Sequence, residues 1–251
     1  MNKNFKIAIC FFIILSFLGL GLYFYFSQES SLEKVVISID YPVTSKLECM
    51  VDESDYIIVG SYFGFNSSWN MARNPKDITK EDTERYIEGR LYDFRVDEIL
   101  KGTEVKDSIK VNHRYLERMI FVDSNEITNS EGIIEGEKNY TTEYSFDKKD
   151  ILFIEPELNA KYILFLKKDL DMDNYYGSIE PFSIKFNSKD ISELQSNLIG
   201  LDKEKNLSSK IKLKNGLFID IVHNVGYEVN DSISNRMFTE LVSEIENQIN
   251  N

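Results

Sequence analysis

The chain has 251 residues, with 29 Lys plus Arg set against 42 Asp plus Glu, for a net charge of −13. That balance argues against a nucleic-acid phosphate backbone or anionic lipid headgroups as partner, and suits a dispersed body or one that meets cations. Two cysteines, Cys10 and Cys49, cannot build a disulfide framework, although an intermolecular bridge through Cys49 stays open. The two histidines, His113 and His223, are too few for the usual Cys/His zinc site.

Residues 7–26, "IAICFFIILSFLGLGLYFYF", run for twenty residues without a charge. As a helix rising about 1.5 Å per residue they match the roughly 30 Å apolar core of a bilayer. Lys3 and Lys6 precede the run and an acidic stretch follows it, which places the N-terminus in the cytoplasm. The expectation is an uncleaved signal anchor in a single-pass cell-membrane protein, with the bulk of the chain outside the membrane. A cleaved signal peptide fits less well, because "FYFSQES" is a poor exit.

A short polar linker over 31–46 leads to "TSKLECMVDES", where Leu47, Met50 and Val51 take the spacing of one helix face. "DYIIVGSYFGF" (55–65) is nearly all apolar and predicts a strand covered on both sides. The polar stretch 66–89 reads as an exposed excursion, with Asp77 or Thr79 available to cap a short helix. "YDFRVDEILKG" (92–102) alternates cleanly from Tyr92 to Val96 and then changes phase at Asp97 and Glu98. One extra residue in a strand has that effect, so the segment predicts a strand bent by a bulge and ended at Lys101-Gly102.

A strand over 108–122 follows, then a polar region over 123–160 with a short strand near "NYTTEYSF". Strands over 161–168 and about 175–186 flank an acidic turn. Ile191, Leu194 and Leu198 predict a helix over 190–201, and Asn215-Gly216 marks a hairpin over 210–224. Phe238, Leu241, Val242, Ile245 and Ile249 form the stripe of a terminal amphipathic helix. Strands in close succession, with helices near both ends, predict an α+β fold built on antiparallel pairing.

"SDYIIVGSYF", "YDFRVDEILKG", "DSIKVNHRY" and "KYILFLKKD", taken in order, resemble the netrin-like, tissue-inhibitor-of-metalloproteinase type of OB barrel, as in bacterial membrane-anchored or secreted proteins. The resemblance covers about residues 47–190 and implies an OB-like antiparallel β-barrel with flanking helices, following a single transmembrane helix. Domains are then expected at 1–30 (anchor), 31–46 (linker), 47–200 (barrel) and 201–251 (hairpin and helix). The family's inhibitors act through a mature N-terminal cysteine; Cys49 is internal, so no inhibitory residue carries over.

Three constellations could carry chemistry. In "DLDMDNYYGSIE", Asp169, Asp171, Asp173 and Glu180 fall at positions 1, 3, 5 and 12 of a calcium loop. Asn174 stands where that loop needs Gly, so a solvated acidic turn competes with a Ca²⁺ site. Trp69, Met71 and Arg73 in the polar excursion form a candidate binding tip, unless Trp69 folds back on the sheet. His113 and His223 lie in no catalytic motif, and no phosphate-binding loop is present. The functional expectation is a membrane-anchored, extracytoplasmic binding module for an unknown protein or cell-surface ligand, not an enzyme. The alternatives are a calcium-stabilised surface domain and a tethered hydrolase using carboxylates; several shifted carboxyls in one pocket would favour the hydrolase.

Overall fold

The computed structural model describes residues 33–39, 43–123, 126–128, 134–137, 142–200, 208–212, 218–225 and 230–250. The chain divides into two units, one formed by residues 1–38 and 207–224, the other by 39–206 and 225–251. In the first, β1 (Glu33–Ile39), β15 (Phe218–Val225) and β14 (Ser208–Lys212) make a three-stranded sheet in that order. β14 and β15 pair antiparallel, as the Asn215-Gly216 signal predicts, while the turn itself lies outside the described residues.

The second unit holds the remaining strands. β2 (Tyr56–Asn70), β5 (Ile87–Lys101), β6 (Ser108–Asp123) and β10 (Lys161–Asp169) are its long members. Shorter ones are β9 (Thr142–Lys149), β11 (Asn174–Gly177), β12 (Ser183–Phe186) and β13 (Ser192–Leu194). Two small hairpins stand apart, β3 (Arg73–Asn74) with β4 (Asp77–Glu81), and β7 (Glu126–Thr128) with β8 (Ile134–Glu137). The helices are α1 (Leu47–Glu53) and α2 (Phe238–Ile249).

The main sheet runs β11-β6-β5-β2-β10-β12-β13, with β9 on β6 and a further pairing of β11 with β10. β11 therefore touches both β6 and β10, but only two register pairs, Tyr175 with Val111 and Tyr176 with Asn112, join it to β6. So narrow a seam does not amount to a closed barrel. The expected α+β, OB-like barrel is corrected to a mostly β body with two short helices among the described residues.

The membrane placement needs correction too. At about 1.5 Å per residue, the 7-residue α1 and 12-residue α2 are far shorter than a bilayer core. No helix among the described residues is long and apolar enough to cross a membrane, and 7–26 lies outside them. No described helix therefore carries the expected single-pass placement with a cytoplasmic N-terminus, and residues 7–26, on which that expectation rested, are not among the described residues.

β2 and β10 form the centre of the sheet, paired antiparallel from Lys161–Ser61 to Leu166–Tyr56. Ile58, Tyr62, Tyr162, Leu164 and Leu166 point into one cluster with Tyr92, Phe94, Ile109, Val111 and Tyr175. Ile57, Val59, Ile163 and Phe165, on the opposite beat, are buried as well, so a second layer covers that face. The helices bury Leu47, Met50, Val51, Leu241 and Ile245; they touch each other, and α2 touches β5. Lys101 Nζ donates to the Val51 carbonyl at 2.8 Å and ties the end of β5 to α1.

The phase change in β5 is a pair of bulges. Val59 pairs Glu98 while Gly60 pairs Val96, leaving Asp97 unmatched, and Leu100 is skipped between Ile99 and Lys101. Extra residues on one strand increase its local twist, which lets a long strand coil round the aromatic core.

Two expectations fail for physical reasons. Instead of an excursion, β2 continues to Asn70 and the β3–β4 hairpin follows. The Asn70 amide closes that hairpin: it donates to the carbonyls of Asp82 and Arg85 at 2.9 Å each and accepts from the N–H groups of Ala72 and Ile87 at 3.0 Å each. The helix expected over 190–201 is instead the strand β13, because Ile184, Lys185 and Phe186 of β12 offer it an open edge. The Ser192 hydroxyl then donates to the Ile233 carbonyl at 2.6 Å.

A Cβ at Gly60 would overlap the Arg95 carbonyl oxygen and the Phe94 ring, whereas one at Gly64 would meet nothing within 4 Å. Gly60→Ala is expected to lower stability in urea unfolding by about 1–3 kcal/mol, and Gly64→Ala by less than about 0.5 kcal/mol. Equal effects at the two positions would contradict the close approach of β2 and β5 at the bulge.

Candidate functional site

His113 sits on β6 on the same beat as Ile109 and Val111, which carries it into the core. Its Nε2 and the Tyr62 hydroxyl are 3.0 Å apart, and the rings of Tyr92 and Phe182 lie 5.3 and 5.2 Å away. Burial holds its pKa down to about 3, so the imidazole is neutral at physiological pH. Burial pushes the Tyr62 hydroxyl up, leaving it neutral as well.

Beside His113 opens a cavity of about 320 Å³. Met71, Leu152, Phe153, Ile179 and Phe182 give it an apolar wall, and Asn112, Arg114, Asp150 and Glu180 add polar groups. Its far wall is the segment 178–182, pinned to β10 because the Ser178 and Phe165 N–H groups donate to the carbonyls of Phe165 (3.1 Å) and Phe182 (2.8 Å). Thr44 N–H donates to the Glu180 carbonyl at 2.8 Å and fixes the backbone there.

The two carboxyls of the cavity differ in their surroundings. Asp150 accepts the Leu152 N–H at 2.9 Å and lies 3.1 Å from Arg114 Nε, whose guanidinium also meets Glu117 at 2.6 Å. Burial raises the Asp150 pKa, and the Leu152 N–H and Arg114 pull it back. Glu180 makes no side-chain hydrogen bond or ion pair among the described residues. Burial first, and the Asp150 charge second, push its pKa up to about 8. A neutral acid and an arginine-paired carboxylate thus border one space.

The proposed calcium ligands are not brought together. Asp169 Oδ1 accepts the N–H groups of Asp171 (3.0 Å) and Met172 (3.2 Å), an internal turn. Asp173 pairs with Lys106 at 2.8 Å and Lys168 at 3.7 Å, while Glu180 lines the cavity. Among the described residues no group of three or more His, Cys, Asp or Glu could hold a metal ion.

Trp69 does not project as a tip. Its Nε1 donates to Asn112 Oδ1 at 2.9 Å, the Arg73 guanidinium lies 4.7 Å from its ring centroid, and Gly89 leaves the space that seats it. Met71 contacts the Asn112 amide through sulfur at 3.4 Å and forms part of the cavity wall. His223 falls in β15 of the other unit. No motif in the sequence marks Asp150, and the spacing of Glu180 from Asp169 assigns it another role. The available signal is a carboxyl inside an apolar run, "SIEPFSI", and, far away in the chain, a histidine, His113, on the apolar beat of Ile109 and Val111.

Glu180 keeps its proton to about pH 8 when folded and ionises near 4.5 when unfolded, so folding takes up a proton between those values. Stability from this group is complete below the lower value and declines as pH rises through the window. Glu180→Gln removes the titration. In urea unfolding the variant is expected to gain on the wild type between about pH 5 and about pH 9, by at most a few kcal/mol. A difference constant with pH would contradict an uncompensated carboxyl at this position.

No protein-family model, curated protein or solved structure matches this chain.

Proposed function

We propose that the larger unit is a binding module whose ligand is a small molecule held in the cavity between β6 and the 178–182 segment. The observation that carries this reading is the cavity itself: about 320 Å³ of space with a mostly apolar wall and a few convergent polar groups. Small-molecule sites commonly have that size and make-up, because apolar area supplies affinity and sparse polar groups fix orientation. The seat is prepared in advance, since Ser178, Phe182 and His113 are held by hydrogen bonds or ring contacts. Preformed sites avoid the entropy cost of ordering side chains on binding.

A second reading, acid–base hydrolysis, draws on one specific feature. Glu180 as a neutral acid and Asp150 as a carboxylate are the two partners such chemistry needs, on one cavity.

One experiment separates the readings. Calorimetric titration of the full chain with benzyl alcohol, benzylamine and benzoate is expected to show saturable binding of at least one probe, abolished in Leu152→Trp, which fills the cavity. Failure of all three to bind would overturn the binding reading. Release of 4-nitrophenol from 4-nitrophenyl acetate or glycosides, lost in both Asp150→Asn and Glu180→Gln, would favour hydrolysis instead.

A further inference from the structure

On the reading that this cavity binds a small molecule, we propose that its ligand is an organic cation, an apolar body bearing a protonated amine, whose ammonium pairs with Glu180 and drives that carboxyl's proton into solvent. The step balances: the ammonium keeps its protons, the Glu180 carboxyl loses one to buffer, and an ion pair replaces a neutral acid.

The charges around the cavity select this class. Arg114, the cationic member of the wall, already meets two carboxylates, Asp150 at 3.1 Å and Glu117 at 2.6 Å. Lys148 faces the same cluster, with Asp150 and Glu117 as its opposite charges. His113 is neutral, and its Nε2 is engaged with the Tyr62 hydroxyl. Lys148 does not line the cavity, so an anionic ligand would find no uncommitted positive group on its wall and would meet Asp150 and Glu180 directly.

Glu180 is the complementary case. The groups that face it are Asp150 and Arg114 across the cavity, His113 from β6, Tyr176 from β11, and Tyr62 and Tyr162, which share a smaller adjoining cavity with it. From the segment before α1 it meets Val43 and Thr44, which carry no charge. Among these only Arg114 is a cation, and it is committed to carboxylates. An ionised Glu180 in that setting lacks a counter-charge, and an ammonium supplies one in surroundings where pairing is strong. The remaining wall, with Met71, Leu152, Phe153 and Phe182, accepts the apolar body of such a ligand. A net charge of −13 also raises the local concentration of cations and their rate of arrival.

The test is calorimetric titration of the full chain at pH 7 with benzylamine and with benzyl alcohol, in phosphate and in HEPES. Benzylamine is expected to bind at least about tenfold more tightly. Its apparent heat should differ between the two buffers by an amount that reports release of roughly one proton, whereas the heat of benzyl alcohol should not. In Glu180→Gln the two probes are expected to bind within about twofold of each other. Benzyl alcohol binding as tightly as benzylamine, or benzylamine binding without proton release, overturns the cation assignment and leaves the cavity reading intact. The wild-type buffer comparison decides the matter even if the variant does not fold. If no probe binds, the cavity reading falls, and this one with it.

Discussion

Burial of both faces of the β2–β10 pair is the constraint on which the rest of the second unit depends. Ile57, Ile58, Ile163, Leu164, Phe165 and Leu166 are fully enclosed. A sheet whose central strands are covered on both sides needs two layers of cover. One is the aromatic cluster of Tyr62, Tyr92, Phe94 and Tyr162. Each fully buried large side chain is worth about 1.5–3 kcal/mol, so the pair fixes register and position before any loop is considered. The site is built from that frame. Phe165, on β10, donates to Phe182 and accepts from Ser178, and those bonds hold the segment that carries Glu180.

Forming the cavity has a cost, and the cost is informative. A carboxyl partly withdrawn from water without a partner shifts towards its neutral form, and here burial and the Asp150 charge both act in that direction. Asp150, on the same cavity, is also raised by burial, but a backbone N–H and a guanidinium pull it part of the way back. Two carboxyls on one cavity, one paired with a guanidinium and one without a partner, make the space chemically asymmetric. Ligand selection by charge follows from that asymmetry more directly than from the volume of the cavity.

Much of the frame was legible in the sequence, and the site was not. The α1 face of Leu47, Met50 and Val51, the bend at Asp97, and the double burial of 57–62 all follow from local periodicity, although Phe63 and Phe65, expected to be covered as well, are exposed. Local pattern failed where a distant partner decided the outcome. Ile191, Leu194 and Leu198 fit a helix, but the free edge of β12 offered ladder hydrogen bonds that a helix there would forgo. Residues 66–89 look solvated because their hairpin is closed by one amide, Asn70, rather than by an apolar core. The membrane expectation rested on residues 7–26, outside the described residues, and the helices that are described are too short to span. Glu180 misled for a related reason. Its spacing from Asp169 fits a calcium loop, yet β11 intervenes and takes it to another surface.

The most direct measurement is the carboxyl-carbon chemical shift of Glu180 followed by NMR through a pH titration of the folded chain, without ligand. A midpoint near 8, far above the ordinary glutamate value of 4.5, is the result expected of a buried acid with no counter-charge. A midpoint at the ordinary value would mean that Glu180 is solvated or paired, and the selective cavity described above would not exist.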